Sequence, residues 1–245
     1  MLDKNELKYF DYSRSENEKF WKRLGIKPNF INKTVLDFGC GYGALSIDIG
    51  LLGVKSVTGI DLEEKLINFA KKNLKKNFFL LEDKINFEKI DILKTEIKDK
   101  YDVIISKDTF EHTVNLPEVL QKMYNLLNKG GRIYLGFGPL YNFYNGDHGR
   151  LNMYLPWFHL LFNEKFLVNR INKKENLTIE KIQDLGLSKY SLAEYKEIFK
   201  ESNFKINFFK TNLSDHPLSF IFNFLSKFKF LKEYCTYNIY CVLEK

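Results

Sequence analysis

The sequence predicts an α/β fold with a doubly wound, mostly parallel sheet. The first observation is that apolar runs of strand length alternate with amphipathic helical segments from Thr34 to Phe137. The second is that the run Val35–Phe38 ends in glycines at alternate positions. The third is Asp61, which ends the next apolar run. Asp61 follows the glycines by about 20 residues. One strand–helix–strand unit has this length and places a ribose-binding carboxylate at the end of its second strand. These observations predict a nucleotide-cofactor site.

The spacing of the glycines indicates the class of cofactor. A dinucleotide-binding loop reads G-x-G-x-x-G and places a pyrophosphate at a helix N-terminus. Here the glycines are Gly39, Gly41 and Gly43, so the third comes one residue early, and Asp37 precedes the first. A carboxylate would repel a pyrophosphate, but it suits a ligand with an ammonium group and no phosphate. S-adenosylmethionine is such a ligand, and a nicotinamide cofactor is the weaker alternative.

These motifs resemble those of the class I S-adenosylmethionine-dependent methyltransferases. The resemblance covers about Lys33 to Phe137 well and the last strands weakly. It implies a Rossmann-like sheet of seven strands, mostly parallel with an antiparallel last strand. It also implies that the glycine loop approaches the methionine part of S-adenosylmethionine, that Asp37 holds its amino group and that Asp61 takes both ribose hydroxyls. The product would be S-adenosylhomocysteine. The cofactor-binding residues expected from the resemblance are Asp37, Gly39, Gly41, Gly43, Asp61, Leu62, Asp91, Ile92 and Lys107.

Hydrophobic periodicity and helix-boundary residues predict the elements of the N-terminal half. An amphipathic helix over Arg14–Leu24 comes first, and in the family such a helix often covers the cofactor. The elements that follow are strands at Thr34–Phe38, Ser56–Ile60 and Lys84–Asp91 and helices at Ala44–Leu52 and Glu63–Lys76. The third strand has a competing register at Phe78–Leu81, which can equally end the preceding helix. The resemblance places Asp91 and Ile92 beside the adenine.

The fourth strand, Tyr101–Ser106, leads into a segment that bears on the acceptor. Residues 107–112 read Lys-Asp-Thr-Phe-Glu-His. They resemble the Leu-Glu-His loop of small-molecule methyltransferases rather than the Asn-Pro-Pro-Tyr loop of enzymes that methylate amino groups of nucleic acids or glutamine. A small-molecule acceptor and no nucleic-acid partner are therefore expected. A helix at Leu116–Leu127, a Gly-Gly turn typical of the family and a fifth strand at Arg132–Phe137 complete the predicted core.

After the fifth strand the alternation of strand and helix lapses. Connections this long are usually functional, and this one leaves the edge where open α/β sheets bind ligands. One domain spanning 1–245 is expected, with a cofactor-binding core at 33–138, an inserted acceptor cap at about 139–187 and a C-terminal part at 188–245. A purely structural insertion is the alternative to a cap. The C-terminal part predicts a helix at Ser191–Ser202 with a capping box and strands at Phe204–Thr211 and Tyr237–Leu243, which pair antiparallel in the family.

The segment Pro217–Tyr234 carries apolar residues at helical spacing, followed by lysines. The apolar residues are Leu218, Ile221, Phe222, Leu225 and Phe228. Packing in the core or cap is the primary interpretation. A membrane-surface helix or a dimer contact is the alternative.

Methyl transfer to a hydroxyl would be helped by a general base, for which histidine is the usual residue. His148, beside Asp147 in the cap, is the first candidate, and His112, after the fourth strand, is the second. An acceptor that is already nucleophilic would need no base. His159 is expected to be packed and His216 to lie in a turn.

Arg150 and Arg170 are candidates to bind an anionic acceptor, such as a carboxylate or phosphate. No ligand spacing in the sequence predicts a metal site.

Composition sets the remaining expectations. The chain has 245 residues, a net charge of +7 and three cysteines, which are too few and too scattered for a disulfide framework. No N-terminal apolar leader is visible, and no apolar run reaches the ~20 residues of a spanning helix. A cytoplasmic location without stable membrane insertion is expected, and a dimer is open. The basic run Lys71–Lys76 is read as a solvated helix end.

These observations predict methylation of a small polar metabolite or sugar-type intermediate on oxygen. The positive charge keeps an RNA or protein methyltransferase open as an alternative. A partner subunit that binds the cofactor without catalysis is a second alternative.

Overall fold

The structure is a computed structural model that describes residues 2–151, 155–214 and 219–245. His216 and Leu218, predicted to lie in a turn and in an apolar stripe, fall outside the described residues. The strands are β1 (Thr34–Phe38), β2 (Ser56–Asp61), β3 (Ile85–Lys89), β4 (Tyr101–Lys107), β5 (Leu127–Phe137), β6 (Lys205–Thr211) and β7 (Ile239–Glu244). The helices are α1 (Lys4–Ser15), α2 (Asn17–Leu24), α3 (Ala44–Gly50), α4 (Glu64–Asn77), α5 (Leu116–Leu126), α6 (Glu164–Glu175), α7 (Leu192–Glu201) and α8 (Ser219–Leu225).

The seven strands form one sheet in the order β3-β2-β1-β4-β5-β7-β6. β1 pairs in parallel with both β2 and β4, and β7 is antiparallel to β5 and β6. The predicted α/β class, with seven strands and an antiparallel last strand, is confirmed. The chain leaves β1 toward β2 on one side and reaches β4 on the other. The carboxyl ends of β1 and β4 therefore flank the switch point, where open sheets bind ligands.

Alternate residues of each strand point to opposite faces of the sheet, and two apolar cores result. Val103 and Ile105 pack with the N-terminal helices in one core, while Ile104 packs in the other with residues of α5 and α7. Trp21 of α2 belongs to the first core and Phe199 of α7 to the second. Helices on both faces make the sheet doubly wound, as predicted.

The N-terminal helix prediction was wrong in extent. Two helices, α1 and α2, occupy this region, and they meet at Glu16. Of the residues of α1, Phe10 alone is buried, so its sequence carries little of the apolar stripe by which a helix is recognised. The side chain of Asp3, which caps α1, accepts hydrogen bonds from the N–H groups of Asn5 and Glu6.

Most other boundaries lie within a few residues of their predictions. The competing third-strand register is a short 3-10 turn at Phe79–Leu81 that follows α4, so the register at Ile85–Lys89 is confirmed. β5 begins at Leu127 rather than Arg132. The predicted capping box is present, since Ser191 and Glu194 cap each other's backbone N–H groups.

The segment after β5 contains one helix that the sequence did not reveal. α6 begins after Asn163, whose side chain accepts a hydrogen bond from the N–H of Phe166. Leu167 and Ile171 of this helix pack with Ile182 in a small third apolar cluster. This segment therefore has packing of its own beside the sheet.

Candidate active site

A cleft of about 740 Å³ opens at the carboxyl edge of the sheet. Its volume lies in the range of roughly 300–1,000 Å³ that is typical of small-molecule sites. Most of the residues predicted to bind the cofactor lie in its wall, namely Asp37, Gly39, Gly41, Asp61, Leu62, Asp91, Ile92 and Lys107. Gly43 instead packs closely against the ring of Phe87. A Cβ built on Gly43 would lie 2.6 Å from that ring.

The three glycines of the loop after β1 all have positive φ, at 74° for Gly39, 52° for Gly41 and 80° for Gly43. Their surroundings differ. A Cβ on Gly39 would lie 2.2 Å from the Thr109 Oγ1 atom, whereas one on Gly41 would meet nothing within 4 Å. Gly39 is thus required by the packing of the loop, and Gly41 leaves open space that a ligand can approach.

Asp61 lies at the end of β2 and is tied to the same loop. One carboxylate oxygen accepts a hydrogen bond from the N–H of Gly41 at 2.9 Å, and the other accepts one from the N–H of Glu63 at 3.0 Å. Each carboxylate oxygen can accept two hydrogen bonds. The carboxylate is therefore fixed in position and keeps capacity for two hydroxyl donors.

Asp37 lies at the centre of the sheet edge and is 2% exposed. Its carboxylate accepts a hydrogen bond from the Ser46 hydroxyl at 2.6 Å. Burial raises the pKa of Asp37 to about 7, and the bond from Ser46 opposes that rise. A ligand cation beside it would favour the ionised form.

Asp91 and Ile92 follow β3 at the far wall of the cleft. The Asp91 carboxylate accepts a hydrogen bond from the N–H of Leu93 at 3.0 Å and forms an ion pair with Lys94 at 3.2 Å. Ile92 is buried, while Leu62, beside Asp61, is exposed. Together they give this end of the cleft two apolar surfaces and one carboxylate.

Lys107 connects the sheet edge to the N-terminal helices. Its ammonium donates hydrogen bonds to the Ser13 carbonyl at 3.2 Å and to the Asn17 side-chain oxygen at 3.0 Å. Burial lowers the pKa of Lys107. The Asn17 amide in turn donates to Asp48 of α3 at 2.8 Å. These contacts hold α1 and α2 along one side of the cleft.

A side chamber of about 130 Å³ extends from this wall. Tyr9, Ser13, Lys107 and Asp108 line both spaces. The other residues of the chamber are Tyr12, Glu16, Phe20, Arg23 and Tyr240. The sequence does not predict this grouping, because α1, α2 and β7 meet only in the folded chain.

The two candidate histidines lie together, with ring centroids 4.9 Å apart. The Nδ1 atom of His112 is 2.5 Å from the Gly186 carbonyl, and the Nε2 atom of His148 is 3.0 Å from the Pro139 carbonyl. A carbonyl only accepts, so both of these nitrogens carry hydrogen. His112 lines the cleft, whereas His148 is outside its lining.

The surroundings of both imidazoles favour the neutral form. Burial lowers the pKa of His112, and burial together with the neighbouring His112 lowers the pKa of His148 to about 4. Arg150 acts in the same direction on both rings and lines the cleft. Arg170, by contrast, lies exposed on α6 away from the cleft lining.

Two further polar residues are buried. Glu111 accepts a hydrogen bond from the N–H of Gly138 at 3.2 Å, and burial raises its pKa well above the usual range. The predicted burial of His159 is confirmed, with its Nε2 atom 2.7 Å from the Tyr141 carbonyl. Among the residues described, no group of three or more His, Cys, Asp or Glu side chains is arranged to hold a metal ion.

Comparison with known proteins agrees with this geometry. Residues 30–136 match a family model described as a methyltransferase domain. A ribosomal protein L11 methyltransferase of Staphylococcus haemolyticus is 37% identical over 100 residues, covering 41% of this chain and 30% of the relative. A ubiquinone biosynthesis O-methyltransferase of Nitrosomonas europaea is 36% identical over 104 residues, covering 42% of each. The matches thus span less than half the length of these curated relatives.

Solved structures are similar over nearly the whole chain. An S-adenosylmethionine-dependent methyltransferase from Mesorhizobium loti has a TM-score of 0.58 at 13% identity, with 94% of this chain and 97% of that one covered. A Listeria monocytogenes protein assigned to the same class has a TM-score of 0.60 at 21% identity, covering 94% and 99%. These likenesses support the fold, and the match over residues 30–136 carries the glycine loop and both acids. Residues 30–136 therefore match a methyltransferase domain, and this match together with the fold supports a class I S-adenosylmethionine-dependent methyltransferase.

Proposed function

We propose that this protein transfers the methyl group of S-adenosylmethionine to an oxygen of a small polar acceptor that enters beneath the segment after β5. One observation carries the proposal. A single cleft is lined at one end by the glycine loop, Asp61 and Asp91, and at the other by His112, Arg150 and Gly186. Both reactants can therefore occupy one continuous space, as direct transfer requires.

The residues of the first end fit S-adenosylmethionine. The open space over Gly41 admits the close approach of a ligand to the loop. The Asp61 carboxylate is oriented by two backbone N–H groups and can still accept from both ribose hydroxyls. Asp37 would hold the amino group, and Ile92 and Leu62 would contact the adenosine, with Asp91 beside the adenine.

The cofactor, when bound, supplies an electrophilic methyl group on a sulfonium. The protein's part is to fix the distance and angle of attack, which can supply roughly 7–11 kcal/mol of the barrier. The contacts of Lys107 with Ser13 and Asn17 support this part, since they fix the N-terminal helices along the cleft. Lys107 itself would position the methionine end of the cofactor.

His112 is the better placed general base, although His148 is the first candidate from sequence. His112 lines the cleft, and its Nδ1–H bond to Gly186 leaves the Nε2 atom as the basic nitrogen. His148 packs against it and would hold the ring in position. Arg150, in the same wall, would attract an acceptor that carries a carboxylate or phosphate.

The segment of about 139–187 serves as the acceptor cap in this proposal, within one methyltransferase domain. Its Arg150, Asp184 and Gly186 line the cleft opposite the glycine loop. A protein acceptor is the second candidate, because one relative is a ribosomal protein L11 methyltransferase. The position of the acceptor end in a cleft of about 740 Å³ favours a small molecule.

Calorimetric titration with S-adenosylhomocysteine, with NAD as the comparison ligand, tests the cofactor. Binding in the micromolar range with no heat from NAD supports the proposal, and the absence of S-adenosylhomocysteine binding would overturn it. A screen with radiolabelled S-adenosylmethionine against small hydroxylated acids, sugars and phosphates, with ribosomal protein as a separate arm, then tests the acceptor class. A protein that binds S-adenosylhomocysteine yet methylates nothing in either arm would favour the non-catalytic partner subunit.

A further inference from the structure

An apolar and basic surface lies on the part of the chain between β6 and β7, outside the cleft. It is formed by residues 219–234, which comprise α8 and the turns after it. The exposed apolar side chains are Phe220, Ile221, Phe224, Phe228, Phe230 and Tyr234, and the exposed cations are Lys227, Lys229 and Lys232. Phe230 is 74% exposed and Phe220 67%. We call this the aromatic–lysine surface.

So many large apolar side chains exposed on one short stretch indicate an interaction site. Single exposed apolar residues are ordinary, but here six lie within sixteen consecutive positions. The packing interpretation of this segment holds for Phe222. Its ring centroid lies 4.8 Å from that of Phe143 and 5.9 Å from that of Tyr144, on which it stacks. Phe222 thus anchors α8 to the body of the protein, and the exposed rings remain available to a partner.

The surface continues into the segment after β5. The Trp157 indole N–H donates to the Tyr234 carbonyl at 3.2 Å, and its ring contacts Tyr144. Leu155 and Leu161, on either side of Trp157 in sequence, are 62% and 72% exposed. Through Trp157 the surface therefore adjoins the segment after β5.

The charges of the surface are positive. Among the described residues, Lys227, Lys229 and Lys232 form no ion pair within 4.0 Å. Lys232 lies close enough to Lys196 of α7 to lower the pKa of Lys196, after the larger effect of burial. Glu233, the acid of this stretch, is turned to the body of the protein, where it accepts hydrogen bonds from Asn142 and from the N–H of Leu192.

We propose that the aromatic–lysine surface docks this protein on an anionic phospholipid membrane. α8, with the sequence Ser-Phe-Ile-Phe-Asn-Phe-Leu, carries no charged residue, and the lysines follow it directly. This order suits an interface in which apolar rings enter the acyl boundary while ammonium groups stay among anionic headgroups. No helix in the described part of the chain is long and apolar enough to cross a bilayer, so the proposed association is peripheral.

A second copy of this chain fits the surface less well. A twofold contact would place each surface against itself, and lysines would then face lysines without an acid between them. Single-stranded nucleic acid also uses aromatic side chains and cations, but it offers no apolar phase for Phe220, Ile221 and Phe224. The proposal goes beyond methyl transfer and does not depend on the identity of the acceptor.

Vesicle co-sedimentation tests the proposal with the full chain and four variants. The vesicles are phosphatidylcholine with and without phosphatidylglycerol. The charge variant combines K227E, K229E and K232E, and its matched control combines K71E, K72E and K76E, three exposed lysines of α4 with the same change in net charge. The aromatic variant combines F224S, F228S and F230S, and a milder form changes F230S alone. Thermal unfolding and S-adenosylhomocysteine titration establish that each variant is folded.

We expect wild type to sediment with phosphatidylglycerol vesicles and only weakly with phosphatidylcholine alone. The charge variant should lose at least about tenfold in partitioning, since each lysine near an anionic surface contributes a several-fold gain. The aromatic variant should also lose binding, and the α4 control should retain it. Wild type that stays in solution with both vesicles, or an α4 control that loses as much as the charge variant, would overturn the proposal.

Two further measurements separate the other occupants. Light scattering that shows a dimer disrupted by the aromatic variant, with no sedimentation, would assign the surface to a second copy. Binding to single-stranded RNA that is lost in both the charge and aromatic variants, again with no sedimentation, would assign it to nucleic acid. Either result would overturn membrane docking. The F230S variant keeps the test decisive if the triple aromatic variant does not fold.

Discussion

The Asp61 carboxylate accepts a hydrogen bond from the backbone N–H of Gly41, 2.9 Å away. This contact joins the end of β2 to the middle of the glycine loop and fixes their relative position. The second carboxylate oxygen is held by the N–H of Glu63. Two residues that the sequence motifs identify separately are thus joined by a direct hydrogen bond.

The substitution D61A should weaken binding of S-adenosylhomocysteine by about a hundredfold or more. Hydrogen bonds to a charged group are each worth about 1.5–3 kcal/mol, and two ribose hydroxyls would lose their acceptor. Calorimetric titration measures the change, with D83A as the control because Asp83 is an exposed carboxylate outside the cleft lining. Equal affinity of D61A and wild type would contradict the ribose assignment.

Gly41 provides a second test of the cofactor site, because a methyl group placed there enters open space. G41A should lower affinity for S-adenosylhomocysteine by about 5- to 150-fold, in line with a cost of about 1–3 kcal/mol for crowding a packed contact. The matched control is G130A. Gly130 also has positive φ, at 75°, and a Cβ there also meets nothing within 4 Å.

Both alanine variants should lose about 1 kcal/mol of stability from backbone strain, so their unfolding temperatures should be similar. G39A should be less stable than either, because its Cβ would lie 2.2 Å from the Thr109 hydroxyl. If G130A reduced affinity as much as G41A, the loss would come from strain and not from the cofactor site.

The protonation of Asp37 should affect stability and cofactor binding in opposite directions. The folded protein holds the Asp37 proton up to a pKa of about 7, whereas the ordinary value is 3.8. The folded state thus binds more protons between these values, and the free energy of unfolding falls as pH rises through this window. D37N removes this loss, so it should unfold several degrees above wild type at about pH 8 and close to wild type at about pH 4.

Affinity should change in the opposite direction, because the ionised carboxylate is the form that attracts an ammonium group. Wild type should bind S-adenosylhomocysteine more tightly as pH rises through about 7, and D37N should bind weakly with no such rise. Thermal unfolding and calorimetry across pH measure the two effects on the same samples. A D37N variant that is less stable than wild type at about pH 8 would contradict the raised pKa.

The parts of the site that lie close together in sequence were predictable, and those joined over long distances were not. Gly39, Gly41 and Asp61 belong to one strand–helix–strand unit. In such a unit the spacing of the residues in sequence determines where they lie in the fold. The contact of Lys107 with the Ser13 carbonyl joins residues 94 positions apart. Its existence depends on how α1 packs on the sheet, and α1 itself has only one buried side chain, that of Phe10.

The fold shows the same division. β1, β2 and β4 are apolar runs buried on both faces, so their residues alone indicate strands. α6 was missed, because its three buried residues, Leu167, Val168 and Ile171, pack in a small separate cluster. The pairing of His112 with His148 was not predicted either. It requires the segment after β5 to pack against the end of β4. Hydrophobic periodicity within the segment does not predict that contact.

His112 and His148 give the final prediction, which concerns catalysis. H112A should lower the rate of methyl transfer by about 10²–10⁴, the usual contribution of a general base, with no change in affinity for S-adenosylhomocysteine. H148A should lower the rate less, because it removes a ring that packs against His112, with ring centroids 4.9 Å apart, and not the base itself.

The pH dependence of the rate separates the two roles. Since burial lowers the pKa of His112 from 6.5, the wild-type rate should rise with pH only up to a value below 6.5 and be level above it. H148A should keep this form, with its midpoint shifted upward as the ring of His112 becomes more hydrated. A rate lost in H148A but kept in H112A would instead identify His148 as the base, and turnover kept by both variants would show that the acceptor needs none.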